Sequence, residues 1–349
     1  MDALTDGVLL NFPLARATPE VWRYGVKPKG LTVRAYDLYR RRVPSHLRRA
    51  LSYDDQSGIL LLDKGGLSGD VYDVDVMLGV DYVAEAQSSE YGEEQHEANF
   101  LLLSEAAKRL GSRLVPVVPT VSERIIAEYA RLLELLEKEH LELGRFEIVA
   151  LDIVRYVWKG PGALGARHYE DLAAAAATAR RTLGPDRILL VAGLSPASMI
   201  VACHGGVDLL ATFSWVSAAQ YGRLILSTAE QLVPANLSRT ALREKLANCS
   251  CPVCKIGPRD ALLEYLELRT GTVEECLSTY AEKSARGFRA RCIHNAHALV
   301  EMVETIRKAK VLGRGKLSAS SFLTMGFHLP GHVMAGLQTV DRIRASGAR

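Results

Sequence analysis

The 349-residue sequence contains few cysteines, little net charge and no long hydrophobic run. Six cysteines are too few for a disulfide scaffold in a chain of this length. No apolar run reaches the roughly 18–20 residues needed to cross a bilayer, and acidic side chains stand near the start, where a signal peptide is basic. The formal net charge of +3 does not identify a partner. We therefore expect a cytoplasmic protein without a membrane segment.

The composition predicts a folded chain. Hydrophobic residues make up 48% of the sequence, and 43 basic residues nearly balance 40 acidic ones. This apolar content allows enough burial to offset the conformational entropy lost on folding, which excludes general disorder. Single cores stop growing at about 250–300 residues. The length therefore predicts one large domain with a small appended module.

Short apolar runs alternate with longer helical patterns, which is typical of a parallel sheet. Eight runs are predicted as strands: 7–12, 31–36, 58–63, 80–85, 113–118, 146–152, 187–193 and 207–213. Helical patterns cover 66–78, 93–110, 121–142, 167–183 and 195–204. This order predicts an α/β fold of the (β/α)8 TIM-barrel type. An open doubly wound sheet is the alternative, but no G-x-G-x-x-G loop follows the first strand. Pro116 argues mildly against a central strand at the fifth run.

Two aspartates end predicted strands. Asp63 closes the third run and Asp152 closes the sixth. Active sites of (β/α)8 barrels lie at the carboxyl ends of the strands, so both carboxylates are candidate catalytic groups. The alternative for each is that it caps the helix that follows.

Three cysteines form the motif C-x-C-x-x-C at Cys249, Cys251 and Cys254. Three thiolates at this spacing can converge on one tetrahedral metal ion, and a structural zinc site needs a fourth ligand. An iron–sulfur cluster is less well supported, because it needs a fourth well-placed cysteine. The fourth ligand has four candidates: Cys276, Cys292, His294 and His297.

Basic residues are concentrated in two parts of the chain. The stretch from Lys283 to Lys316 contains nine lysines and arginines but only two glutamates. Arginines also cluster at 40–42 and 48–49. Such stretches are typical of phosphate contacts with nucleic acid, with a solvated helix face as the alternative.

The C-terminal part of the sequence resembles the zinc subdomain of the tRNA-guanine transglycosylases. The resemblance rests on the cysteine motif, on the helical segment after it, and on a His-Asn pair that opens a helix ending in Ile-Arg. The stretch LLLDKGGLSG at 60–69 is similar to that family's Asp-Ser-Gly-Gly-Phe stretch, and residues 189–215 resemble the segment leading to its nucleophile. The resemblance covers residues 58–312. Members combine a (β/α)8 barrel with a zinc module and exchange a guanine in RNA for a 7-deazaguanine base, and related members act on DNA.

The resemblance implies roles for individual residues. It makes Asp63 the general acid/base of the exchange and implies Zn²⁺ as the bound metal. The implied zinc ligands are Cys249, Cys251, Cys254 and His294. The implied base-binding residues are Gly65, Gly66 and Gln87. It also divides the chain into a barrel at 1–235 and a zinc module with C-terminal helices at 236–349.

The departures from the family pattern concern the reaction itself. Family enzymes use a second aspartate as the nucleophile at ribose C1′, and the alignment places Ala211 there. Lys64 replaces the serine after the first aspartate, and Gln87 falls near the base-reading aspartate. Asp208 matches a structural aspartate expected at the amino end of its strand.

Two functions remain open from the sequence, so whether the chain is an enzyme stays undecided. The first is a divergent transglycosylase that exchanges guanine for a 7-deazaguanine in tRNA or DNA, with Asp152 as the relocated carboxylate. The second is a non-catalytic zinc-containing subunit that binds RNA or a catalytic partner. The expected partners are tRNA or DNA, a 7-deazaguanine base and a second subunit, in a homodimer or in a heterodimer with a catalytic homologue.

Overall fold

The computed structural model describes residues 7–12, 18–34, 59–63, 82–84, 93–120, 122–139, 145–153, 166–255, 273–312 and 317–347. Within these ranges the strands are β1 Gly7–Asn11, β2 Gly30–Arg34, β3 Ile59–Asp63, β4 Tyr82–Ala84, β5 Leu114–Val115, β6 Val117–Pro119, β7 Ile148–Asp152, β8 Ile188–Ala192, β9 Leu209–Thr212, β10 Leu224–Ile225 and β11 Gln231–Leu232. The helices are α1 Glu93–Leu110, α2 Glu123–Glu139, α3 Ala166–Leu183, α4 Pro196–His204, α5 Ser214–Gln220, α6 Arg239–Leu246, α7 Val273–Ala281, α8 Ala285–Leu312, α9 Ala319–Thr324 and α10 Gly331–Gly347.

The first nine strands form one parallel sheet in the order β5-β4-β3-β2-β1-β9-β8-β7-β6. Its two end segments, β5 and β6, are separated in the chain only by Pro116. Proline has no N–H to donate, which interrupts the ladder there, but the Pro116 carbonyl accepts from the Ala150 N–H at 2.9 Å. The sheet therefore curls until its two edges meet in one run of chain, as in TIM-like α/β folds.

The curled sheet separates two sets of buried side chains, because successive residues of a strand face opposite sides. One set forms the inner cluster: Leu9, Ile59, Leu61, Val115, Ile148, Ala150, Ile188, Leu190, Leu209 and Ala211. The other set packs between the strands and the surrounding helices and makes up the larger core. Apolar residues on both faces of most of these strands explain why the sequence shows nearly continuous apolar runs rather than alternation.

The predicted strands and four of the predicted helices are present, with ends shifted by a few residues. Helix α4 begins where Ser195-Pro196 indicates, since the Ser195 Oγ accepts from the Ser198 N–H at 3.3 Å. The predicted helix at 66–78 lies outside the described residues. No helix in the described ranges is long and apolar enough to cross a membrane.

Helix α8 joins the C-terminal part of the chain to the sheet. It packs against α5, β1 and β10, and its buried face includes Leu299, Met302, Val303 and Ile306. The apolar positions predicted from the sequence therefore face the core. The same helix carries His294 and Asn295. The expectation that this pair opens the helix was wrong, because residues 285–293 are also helical.

The last two helices are attached to the sheet's helical layer by charged groups on α10. The Asp341 carboxylate contacts His204 Nε2 at 2.8 Å and accepts from the Ala319 N–H at 2.8 Å, the first residue of α9. Arg344 donates to the His204 carbonyl at the C-terminus of α4. A carboxylate at a helix N-terminus and a cation at a helix C-terminus each complement the helix dipole.

A glycine permits the close approach of α10 to α3. A Cβ added at Gly336 comes within 2.8 Å of the Tyr169 Cβ and carbonyl oxygen. Gly336→Ala is therefore expected to lower the free energy of unfolding by about 1–3 kcal/mol, measured by urea denaturation. Gly331→Ala is the matched control, because an added Cβ there has no atom within 4 Å. Equal stability of the two variants contradicts the packing argument.

Candidate metal centre and candidate active site

A tight turn after α6 places the three cysteines of the motif together. The Cys249 N–H donates to the Leu246 carbonyl at 2.9 Å, which continues the chain out of the helix. The Cys254 N–H donates to the Cys251 Sγ at 3.3 Å, and the Lys255 N–H donates to the Cys251 carbonyl at 2.9 Å. Backbone hydrogen bonds therefore curl the turn around the Cys251 sulfur.

His294 of α8 completes a cluster of four ligand atoms. The three cysteine sulfurs and a histidine nitrogen all lie within 4.8 Å of one another. The His294 Nδ1 is 3.5 Å from the Cys249 Sγ, 3.4 Å from the Cys251 Sγ and 3.6 Å from the Cys254 Sγ. In a tetrahedral zinc site, bonds of about 2.3 Å to sulfur and 2.0–2.1 Å to nitrogen separate these atoms by about 3.6 Å. The cluster can hold a metal ion of this kind.

A hydrogen bond from the other ring nitrogen, Nε2, orients the His294 ring so that Nδ1 faces the sulfurs. Nε2 is 3.1 Å from the Ile225 carbonyl, which only accepts, so Nε2 donates to this carbonyl and Nδ1 is the nitrogen that faces the sulfurs. Asn295 holds this carbonyl's segment in place, accepting from the Ile225 N–H at 2.8 Å and donating to the Trp215 and Arg223 carbonyls at 3.2 and 3.1 Å. A ligating histidine oriented through its other nitrogen is the usual arrangement in metal sites.

The electrostatics of the cluster favour a positive charge among the sulfurs. Burial lowers the pKa of His294. The charge of Cys251 and hydrogen bonds to Cys249 and Cys251 outweigh this effect and raise the pKa to about 10. Hydrogen bonds with Cys251 and Cys254 lower the pKa of the Cys249 thiol. Negative charge on these sulfurs also favours a metal cation beside them.

The other three candidates for the fourth ligand are not part of this group of four ligand atoms. His297 Nε2 contacts the Ser250 Oγ at 3.0 Å and a Glu301 carboxylate oxygen at 3.1 Å, on a partly exposed side of the turn. The Cys276 Sγ donates to the Val253 carbonyl at 3.2 Å. Cys292 is buried outside the cluster, and burial raises the pKa of its thiol.

Tyr280 belongs to the surroundings of the cluster and was missed by the sequence analysis. Its buried hydroxyl lies 3.0 Å from the Cys254 Sγ and 3.6 Å from the Cys251 Sγ. Cys276, four residues earlier on α7, also lies beside Cys254. The spacing of Cys276 and Tyr280 on one helical face was the available signal.

One residue of the basic stretch has a structural role instead of the predicted phosphate contact. The guanidinium of Arg291 is buried and donates to the Ala219, Tyr280 and Glu282 carbonyls at 3.0, 2.7 and 2.7 Å. It joins α8 to two neighbouring segments. The prediction was wrong for this residue because charge patterning does not show which cations satisfy buried carbonyls.

The predicted base-binding residues fall outside the described ranges. Asp63 is the last residue of β3, at the carboxyl edge of the sheet, and its side chain is not among those described. Gly65, Gly66 and Gln87 lie outside the described residues, as do the arginines at 40–42 and 48–49.

Asp152 and Ala211 lie on the same face of the sheet. Ile148 and Ala150 of β7 face the inner cluster, and Asp152, two residues after Ala150, is on the same face of the strand. Leu151 pairs with Val191, so the next residue, Asp152, lies beside Ala192. Ala192 in turn pairs with Ala211. Ala192 is exposed, whereas Ala211 is only 1% exposed. The sheet therefore carries a row of one carboxylate and two methyl groups across three neighbouring strands.

Asp208 precedes β9 at the opposite, amino edge of the sheet. Its carboxylate pairs with Arg180 and accepts from the Leu189 N–H at 2.8 Å. Arg180 also donates to the Gly206 and Arg187 carbonyls. This network joins β8, β9 and α3 away from the carboxyl edge, so Asp208 does not replace the missing carboxylate at position 211.

The sequence model of the family described as queuine tRNA-ribosyltransferase matches residues 138–317. The match covers 180 of the 349 residues and includes Ala211, the cysteine turn and His294. The chain belongs to this family. A search of curated proteins gave no match. The family match ends at residue 317, so helices α9 and α10 of this family member lie beyond it.

Proposed function

We propose that this chain is a transglycosylase-type protein that binds tRNA and exchanges a guanine for a 7-deazaguanine, with Asp152 as the carboxylate that attacks the ribose. Family membership supports handling of tRNA and a guanine-type base. The observation that carries the specific proposal is the register that puts Asp152 on the inner face in one row with Ala192 and Ala211. We propose the same (β/α)8 barrel at 1–235 and zinc module at 236–349 as the sequence indicates.

The chemistry requires one nucleophile and one acid/base. A carboxylate attacks C1′, the guanine leaves with a proton on its ring nitrogen, and the incoming base displaces the carboxylate from the sugar. Asp63 is proposed to supply and then remove the proton, with Gly65, Gly66 and Gln87 contacting the base. Neighbouring strands lie about 4.8 Å apart, so Asp152 is about 10 Å across the sheet from Ala211. The ribose must then lie over exposed Ala192, whose small side chain leaves room for it.

We propose that Cys249, Cys251, Cys254 and His294 hold one structural Zn²⁺. Three thiolates and one imidazole close a four-coordinate site, which leaves no position for a substrate. When bound, zinc supplies a crosslink between the cysteine turn and α8. Because α8 packs on β1 and α5, this crosslink fixes the cysteine turn to the helix that joins the C-terminal module to the barrel.

A second function is favoured by the burial of Ala211. Its methyl group is part of the packed inner cluster beside Leu9 and Leu209, at the place where the family nucleophile aligns. A chain that has lost the nucleophile and filled its space fits a non-catalytic subunit that positions tRNA for a catalytic homologue.

One assay separates the two functions. The purified chain is incubated with labelled guanine and tRNA, with duplex DNA in a parallel reaction, first alone and then with a catalytic homologue. Incorporation by the chain alone, lost in Asp63→Ala and Asp152→Ala, is the result we expect. Incorporation only in the mixture contradicts catalysis by this chain and supports the subunit.

A further inference from the structure

The hydroxyl of Tyr280 is buried next to two sulfurs of the cysteine turn. The residue is 1% exposed, and its ring lies edge-on to the His294 ring at a centroid distance of 5.4 Å. Its hydroxyl oxygen is 3.0 Å from the Cys254 Sγ and 3.6 Å from the Cys251 Sγ. Both sulfurs belong to the cluster that we propose as the zinc site.

The charge of such a site explains why a hydroxyl is placed there. Three thiolates and a neutral imidazole around Zn²⁺ leave a net charge of about −1, which is costly to bury without hydrogen-bond donors. The Cys254 N–H supplies one donor to Cys251. A tyrosine hydroxyl next to a metal-bound thiolate can only donate to it usefully, because the sulfur carries no proton.

The Cys276 thiol does not take over this task. Its hydrogen is directed to the Val253 carbonyl at 3.2 Å, although its sulfur also lies beside Cys254. Cys254 therefore has two neighbours on α7, one turn apart, and Tyr280 is the one with a hydroxyl aimed at the sulfur.

We propose that Tyr280 is a positioning residue of the metal centre that donates a hydrogen bond to the Cys254 thiolate, and so sets how strongly this sulfur donates to the metal and how tightly the metal is held. The inference rests on the proposed metal site. Outer hydrogen-bond partners of metal ligands typically change metal affinity 10- to 100-fold when they are removed.

Cobalt substitution tests the hydrogen bond directly. Co²⁺ bound by thiolates has a sulfur-to-metal charge-transfer absorption whose energy rises when a hydrogen bond stabilises the sulfur lone pairs. Tyr280→Phe keeps the ring and removes the hydroxyl, so we expect this band to move to lower energy and Zn²⁺ transfer to a chromophoric chelator to become about 10- to 100-fold more favourable. Tyr129→Phe is the matched control, because Tyr129 is equally buried but lies on α2, outside the cluster.

A second substitution keeps the proposal testable if the Tyr280→Phe protein does not fold. Replacing Tyr280 with 3-fluorotyrosine keeps the shape and makes the hydroxyl a stronger donor, so the band is expected to move to higher energy. Unchanged bands in both substituted proteins, with Co²⁺ bound, overturn the role of Tyr280 and leave the metal site intact. Failure of the unsubstituted protein to bind Co²⁺ or Zn²⁺ overturns the proposed metal site and this inference with it.

Discussion

Cys251→Ser is expected to remove zinc from the protein and to unfold the cysteine turn from α8. Cys251 is fully buried, its sulfur is nearest to the His294 Nδ1 at 3.4 Å, and it accepts from the Cys254 N–H. Serine supplies a weaker ligand and leaves two thiolates and one imidazole. Structural zinc contributes about 10–16 kcal/mol of binding free energy in small zinc modules, and this energy is coupled to folding.

Metal analysis and circular dichroism check this prediction. We expect about one zinc per chain in the unsubstituted protein, none in Cys251→Ser, and a lower melting temperature for the variant. Cys203→Ser is the control, because Cys203 is also buried but lies on α4 outside the cluster. It is expected to retain its zinc. A Cys251→Ser protein with full zinc content and unchanged melting contradicts the assignment of the ligands.

Asp152→Asn is expected to reduce guanine exchange by about 10³-fold or more, because an amide of the same shape cannot attack C1′. The side chain ends β7 on the inner face, and its main-chain carbonyl accepts from the Thr120 hydroxyl at 2.7 Å. This backbone contact does not depend on the carboxylate. Asparagine also keeps the shape of the side chain, so we expect the variant to fold and the loss to fall on the rate constant rather than on tRNA binding.

Exchange kinetics with labelled guanine measure this effect. Asp186→Asn serves as the control, because Asp186 is an exposed aspartate just before β8, paired with Arg145 at 3.6 Å at the amino edge of the sheet. Its exchange rate is expected to match that of the unsubstituted protein. Equal rates for Asp152→Asn and Asp186→Asn exclude Asp152 as the nucleophile.

The sequence predicted the strands because most of them are buried on both faces and read as apolar runs bounded by turn residues. Pro116 argues against one continuous strand at the fifth run, but the sequence does not show how the chain accommodates it. In the structure the strand divides into β5 and β6, each paired to a different neighbour. The packing of α9 and α10 on α3 and α4 was not predicted, since contacts such as Asp341 with His204 join residues 137 positions apart.

The metal cluster was more predictable than the active site. Its three sulfurs lie within six residues, and the resemblance selected His294 from four candidates, as the geometry does. Tyr280 was not predicted, because a buried tyrosine is ordinarily a core residue. Its spacing from Cys276 indicates a shared helical face but does not show which sulfur the hydroxyl contacts. Asp152 was predicted as a catalytic candidate because it is a carboxylate that ends a strand. Its position in one row with Ala211 follows from strand register, which the sequence alone does not provide.

The most direct test of the relocated nucleophile is to trap the covalent intermediate and map its position. The chain is mixed with tRNA without the incoming base, quenched in acid, digested, and analysed for a peptide that carries the sugar. The proposed mechanism predicts an ester on Asp152 and no adduct in Asp152→Asn. An adduct on another residue, or exchange that proceeds in Asp152→Asn, contradicts it.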